Sequence, residues 1–139
     1  MILLDTNVVS EPLRAIPEPR VAGWLDAQAL ETLYLSAITV AELRFGVRSL
    51  PPGRRRDRLN EDIERQVLPM FAGRVLAFDL PASRSYAELM AKARSAGRAI
   101  SVSDGYIAAT AAANAMMVAT RDTAPFEAAG LKTVDPWTA

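Results

Sequence analysis

Met1-Ile2-Leu3-Leu4-Asp5-Thr6-Asn7 opens the chain: four apolar residues running straight into an acid, a hydroxyl and an amide. An apolar run without polar alternation reads as a strand buried on both faces, the pattern of a parallel sheet covered by helices. In such sheets, ligands gather beyond the carboxyl ends of the strands. Asp5 stands at that point. What the chain does depends on whether other segments bring further carboxylates to it.

The segments that follow alternate. Val8 to Leu13 reads as a short helical turn stopped near Pro12, and Arg20 to Leu30 as a helix with Val21, Trp24 and Leu25 on one face. Thr32 to Leu35 is a second strand. Ala37 to about Leu50 is a helix, with Ser36 or Thr39 as its cap. Pro51-Pro52-Gly53 breaks the chain. Arg54-Arg55-Arg56-Asp57-Arg58 then opens a helix with the stripe Leu59, Ile63, Val67 and Met70. Its cations oppose the helix macrodipole; they read either as a partner contact or as a solvated face with an Arg58–Asp62 pair. Arg74 to Phe78 is a third strand ending at Asp79, and Pro81 to Gly97 a helix with its stop. Ser101 opens another helix through Ala111. Met116 to Ala119 is a fourth strand, and a short helix at Pro125 to Ala129 and a weak strand at Lys132 to Val134 close the chain. This order predicts an α/β fold, with a central parallel sheet of four to five strands joined by right-handed crossovers.

Composition narrows the chemistry. The 139 residues suit one domain with a core, and 50% hydrophobic with 23% charged residues is ordinary globular usage. No apolar run reaches the ~18 residues of a membrane span, and the N-terminus lacks a secretory pattern, so a soluble cytoplasmic protein is expected. There is no cysteine and no histidine. Thiolate nucleophiles, Ser-His-Asp triads and Cys- or His-ligated zinc are therefore excluded. Net charge is zero, so no global field favours nucleic acid, although 14 of the 16 basic residues are arginine, whose planar fork suits phosphate.

Carboxylates remain. Asp5 ends strand one, Asp122 follows strand four, and Asp104 opens the helix that runs back before strand four. The topology puts all three on the carboxyl rim. Glu42, on a helix beside Ile38 and Phe45, borders an apolar stripe, where an unpaired acid is costly. Each acid also has a local reading: Asp5 capping the next turn, Asp104 capping its helix, Asp122 in an Asx-turn, Glu42 at a surface. Together, four acids without His or Cys suit a hard cation such as Mg²⁺ or Mn²⁺ and metal-assisted phosphodiester hydrolysis. Asn7 and Thr120 are placed to orient a ligand or a water.

Leu4-Asp5-Thr6-Asn7, Ser36-Ala37-Ile38-Thr39-Val40-Ala41-Glu42-Leu43, Asp104-Gly105-Tyr106-Ile107-Ala108-Ala109-Thr110-Ala111 and Val118-Ala119-Thr120-Arg121-Asp122 resemble the four motifs of PIN-domain ribonucleases. The closest likeness is to the VapC toxins, in particular their FitB-like branch, and extends to Asp135-Pro136-Trp137. The resemblance implies a PIN-like three-layer fold spanning residues 1–139 as a single domain. It implies an endoribonuclease dependent on Mg²⁺ or Mn²⁺, with Asp5, Glu42, Asp104 and Asp122 at the metal centre. It further implies a homodimer and a VapB-like DNA-binding antitoxin, through which alone operator DNA is met. The antitoxin groove would lie at the helices around Glu42 and Arg54 to Met70, with Leu43, Phe45 and Val47 as contacts. Where many relatives carry a further acid before a Phe, this chain has Pro125-Phe126, leaving fewer acids for a second ion. A different class of function is a PIN-like binding module whose acidic pocket receives a basic side chain of a partner. A haloacid-dehalogenase-type phosphatase needs a second Asp two residues after the first, and position 7 is Asn.

Overall fold

In the computed structural model, which describes residues 1–139, Ile2–Leu4 forms strand β1 and Thr6–Ser10 helix α1. A 3₁₀ turn, Glu11–Leu13, leads to α2 (Pro19–Ala27), and a second, Leu30–Thr32, leads to β2 (Leu33–Ser36). Then come α3 (Ala37–Arg48), α4 (Arg54–Asp62), a π-turn (Ile63–Val67), α5 (Leu68–Met70), β3 (Val75–Leu76) and α6 (Leu80–Ser95). The chain ends with α7 (Val102–Ala113), β4 (Met117–Ala119), α8 (Ala124–Ala128) and β5 (Thr133–Val134). The five strands are parallel in the order β3-β2-β1-β4-β5. β1 is the central strand, with Leu3 between Tyr34 and Val118.

Successive side chains of a strand point to opposite faces, and β1 serves two cores in that way. Leu4 packs with Val8, Val21, Leu35, Val40 and Leu43 on one side of the sheet. Leu3 packs with Leu89, Ile107, Val118 and Phe126 on the other. The result is the expected three-layer α/β arrangement. No helix is long and apolar enough to cross a membrane.

Several elements differ from the sequence reading for identifiable reasons. The first helix starts at Thr6 rather than Val8 because Asp5 caps it, and Pro12 sits inside a 3₁₀ turn rather than ending a helix. Pro69 lacks the N–H that would continue the α pattern, and the widened π-turn lies just before it. Arg58 and Asp62 form no ion pair; Glu64 instead takes Arg44 of α3, with Nε–Oε1 at 2.8 Å. Leu43 and Val47 are buried in the core, so of the three groove residues only Phe45, 73% exposed, faces outward. Strand three shortens to two residues, and Asp79 caps α6 by accepting from the Ala82 N–H. Gly97 adopts φ +70 and stops α6 in a Schellman turn, Arg98 N–H bonding the Ala93 carbonyl at 2.8 Å.

Candidate functional site

All five strands end at one edge, and β1 delivers Asp5 there. The Asp5 N–H still belongs to the sheet, donating to the Ala119 carbonyl at 2.9 Å. Its side chain is 6% exposed. Oδ1 accepts from the Thr6 N–H and Oδ2 from the Thr120 hydroxyl, both at 2.8 Å. Burial pushes the Asp5 carboxyl up from 3.8 to about 6, against the lowering effect of those two bonds, and Asp104 and Glu42 push it further.

Glu42 lies on the second turn of α3, half-buried. Oε1 accepts from Thr6 Oγ1 at 2.7 Å and Oε2 from Ser103 Oγ at 3.1 Å, so the residue ties α1 to α7. The hydrogens can be assigned by elimination. Thr6 has one hydroxyl hydrogen, and the short 2.7 Å bond gives it to Glu42 Oε1. The 3.1 Å contact between Thr6 and Thr39 is then a bond from Thr39, and the 3.2 Å contact between Ser36 and Thr39 is a bond from Ser36. The proton order runs Ser36, Thr39, Thr6, Glu42. Ser36 also caps α3, its hydroxyl accepting from the Thr39 N–H at 3.0 Å.

Asp104 is in the first turn of α7, but the cap is Ser101, whose Oγ accepts from the Asp104 N–H at 3.1 Å. The capping role expected as an alternative for Asp104 therefore belongs to Ser101. Its carboxyl is raised above 3.8, chiefly by burial, with Ser101 opposing and Asp122 and Glu42 adding. Asp122 is exposed; its N–H donates to Thr120 Oγ1 at 3.2 Å, and its side chain makes no Asx-turn. Asn7 Oδ1 accepts from the Arg121 N–H at 3.4 Å, binding α1 to the segment after β4.

Asp104 is thus within electrostatic range of Asp5, Glu42 and Asp122, and Asp5 of Glu42, with Thr120 and Asn7 beside them. The site does not draw them into a closed cage: no three Asp or Glu side chains converge at metal-ligand spacing. The donor set is all oxygen, and the raised carboxyls are what like charges and burial produce without a counter-charge. Both features fit a hard divalent cation that keeps several waters. The sequence reading missed Thr6, Thr39 and Ser103. Their signal was a hydroxyl directly after the first acid and another directly before the third. It also missed Glu11, 3% exposed, whose two oxygens accept from Arg14 Nη1 at 3.0 and 3.1 Å.

Known proteins resemble this chain over nearly its whole length. The VapC ribonuclease Y4jK of Sinorhizobium fredii is 62% identical over 137 residues, covering 99% of this chain and 98% of that one. Toxin FitB of Neisseria gonorrhoeae is 53% identical over 137 residues, covering 99% of each. The crystal structure of FitAcB from Neisseria gonorrhoeae superposes with a TM-score of 0.97 at 52% identity, covering 100% of both chains. The PIN-domain family model matches residues 2–131. The chain belongs to the PIN-domain family, in its branch of VapC- and FitB-type proteins.

Proposed function

We propose that this chain is the ribonuclease toxin of a VapBC-like toxin–antitoxin pair, acting as one domain and hydrolysing RNA phosphodiester bonds with Mg²⁺ or Mn²⁺. The observation that carries the reading is that four separate elements bring carboxylates to one sheet edge, two of them raised by burial and by their neighbours. The names of the relatives, a VapC ribonuclease and a toxin, support it. Asp5, Glu42, Asp104 and Asp122 would hold the ion. When bound, such a cation polarises a phosphoryl oxygen and makes water a better nucleophile near neutral pH.

The remaining functions fall to the chain itself. Thr120 fixes the Asp5 carboxylate from behind, and Thr6 and Ser103 hold Glu42 from two sides, so neither acid has to be ordered when substrate arrives. Water adds to phosphorus, one P–O bond breaks, and the leaving ribose oxygen takes up a proton. An antitoxin would dock on the same molecule. An apolar cleft of about 260 Å³, lined by Val9, Leu13, Leu25, Leu30, Met70 and Phe71, suits an apolar partner segment. In this reading the chain forms a homodimer, and DNA is reached only through the antitoxin.

The test is cleavage of RNA by the purified, partner-free chain across Mg²⁺, Mn²⁺ and EDTA, beside Asp104→Asn. Metal-dependent cleavage lost in the variant is expected. Intact RNA under every ion would instead favour an acidic binding module, the reading that the open spacing of the carboxylates supports.

A further inference from the structure

RNA approaching this rim meets a charge problem. Four carboxylates against one divalent ion leave the rim negative, and the chain as a whole is neutral. The substrate therefore needs a nearby cation that is not already committed. Four guanidiniums stand near the rim or near the segment after β4, and Arg98, which lines a pocket with Asp122, is unpaired but has no aromatic backing. Arg14 is paired to buried Glu11. Arg20 donates through Nη1 to the Trp137 carbonyl at 3.1 Å. Arg121 forms no ion pair.

Arg121 is also the best placed. It lies between Thr120, which holds Asp5, and Asp122, and its N–H is tied to Asn7. Its guanidinium lies over the indole of Trp137, 5.1 Å from the ring centroid. Trp137 is itself fixed, its N–H donating to Asp135 Oδ1 at 2.9 Å and its carbonyl accepting from Arg20. A stacked guanidinium keeps its in-plane N–H groups free for a phosphate fork and gives up little side-chain freedom on binding. A pocket of about 250 Å³ beside it is lined by Arg14, Arg121 and Trp137, with two acids, Glu11, which Arg14 pairs, and Glu18.

We infer that Arg121, laid over Trp137, is the phosphate-gripping residue that holds the RNA strand beside the acidic site. This rests on the ribonuclease reading. It also explains the C-terminal Asp135-Pro136-Trp137 segment, because Trp137 becomes a positioning residue that aims Arg121.

The experiment measures affinity, not turnover. A short labelled single-stranded RNA of mixed sequence is titrated in EDTA against Asp104→Asn protein carrying Arg121→Gln, Arg121→Lys, Trp137→Leu or, as a charge control at the far end of α3, Arg48→Gln, with melting temperatures taken in parallel. Arg121→Gln should weaken binding about tenfold and flatten the slope of log affinity against log salt by about 0.7. Arg121→Lys should recover part of the affinity, and Trp137→Leu should lose about threefold, less than Arg121→Gln, because the charge stays but its backing goes. Affinity and salt slope unchanged in Arg121→Gln, or lowered equally by Arg48→Gln, overturn the grip, even when wild type cleaves that RNA with Mg²⁺. Unchanged binding in Trp137→Leu overturns the aiming role. RNA neither bound nor cleaved by wild type overturns the ribonuclease reading, and the grip falls with it.

Discussion

The two halves of the acidic site are built differently. Asp5 and Glu42 are held: both oxygens of each accept hydrogen bonds, from Thr6 and Thr120 in one case and from Thr6 and Ser103 in the other. Asp104 is half-buried with the Ser101 hydroxyl as its one side-chain neighbour, and Asp122 is open. The bonds that locate them are made at their backbone N–H groups, to Ser101 and Thr120, and Asp122 stands in solvent. A held carboxylate is already oriented but carries the cost of burial. Asp104 shares part of that cost, because burial raises its carboxyl too, whereas Asp122 in solvent is cheap to keep but must still move to a ligand. Mg²⁺ demands near-octahedral oxygens at roughly 2.1 Å, and a site with one fixed and one adjustable half can reach that geometry by moving its less tightly bonded groups.

The largest effect should come from breaking either half chemically while keeping its shape. Asp104→Asn and Asp5→Asn should each lower RNA cleavage by about a thousandfold, the several kcal/mol that a correctly held ion supplies. Stability should separate Asp5→Asn from Asp122→Asn. Asn at position 5 keeps an acceptor for Thr6 N–H, and Thr120 can accept from the new amide while donating to the Asp122 carbonyl, 3.4 Å away. Asp5→Asn should therefore melt higher than wild type at neutral pH without metal, and Asp122→Asn should not. Equal melting of all three proteins would remove the distinction between the halves.

The next effect is the pH dependence of that difference. The Asp5 carboxyl titrates near 6 when folded against 3.8 as the ordinary value. Between those values the folded chain binds more protons than the unfolded one, so stability falls as pH rises. The contribution is full below about pH 3.8 and lost above about pH 6, and the gap corresponds to at most about 3 kcal/mol. Asp104, also raised, acts in the same direction. Denaturant melts of metal-free wild type and Asp5→Asn from pH 4 to 7 should converge at the acid end and separate towards neutrality. Adding Mn²⁺ should raise wild type above pH 6 and leave Asp5→Asn nearly unmoved. A gap independent of pH would mean that burial of the charge is not what distinguishes Asp5.

Thr6→Val probes the held half without touching an acid. It removes the 2.7 Å bond to Glu42 and keeps side-chain volume, while the Thr6 N–H still serves Asp5. Groups that orient metal ligands are worth about 10–100-fold in affinity, and Mn²⁺ binding followed by calorimetry should fall by that factor. An unchanged affinity would show that Ser103 alone is enough to place Glu42.

What the sequence reveals of all this follows from range. β1, β2 and β4 are legible because their apolar runs are unbroken, and the caps at Ser36 and Gly97 because capping is a local matter. The rim position of Asp5, Asp104 and Asp122 follows from strand polarity, which the alternation of elements implies. The phase of α3 is also present, since Val40, Leu43 and Val47 fall at i, i+3 and i+7; that spacing buries Leu43 and Val47 and leaves Phe45 outside. The hydroxyl chain is not legible, because it needs α1, α3 and α7 to meet, and serine and threonine occur everywhere. Buried Glu11 is hidden for a similar reason: an acid three residues before an arginine reads as a surface pair until its depth is known.

The smallest effect tests where the held half ends. Ser36 is fully buried, caps α3 through the Thr39 N–H and passes its own proton to Thr39 Oγ1. Ser36→Ala should cost about 1 kcal/mol, the usual value of an N-cap, read as a lower melting temperature. Its influence on Glu42 has to pass through two more hydroxyls, each with another partner: Thr39 keeps Thr6, and Thr6 keeps the carboxylate, the stronger acceptor. Mn²⁺ affinity should therefore move far less than in Thr6→Val. If Ser36→Ala weakens Mn²⁺ as much as Thr6→Val does, the held half extends down the whole chain of hydroxyls, and Glu42 is positioned by the start of α3 rather than by its immediate donors.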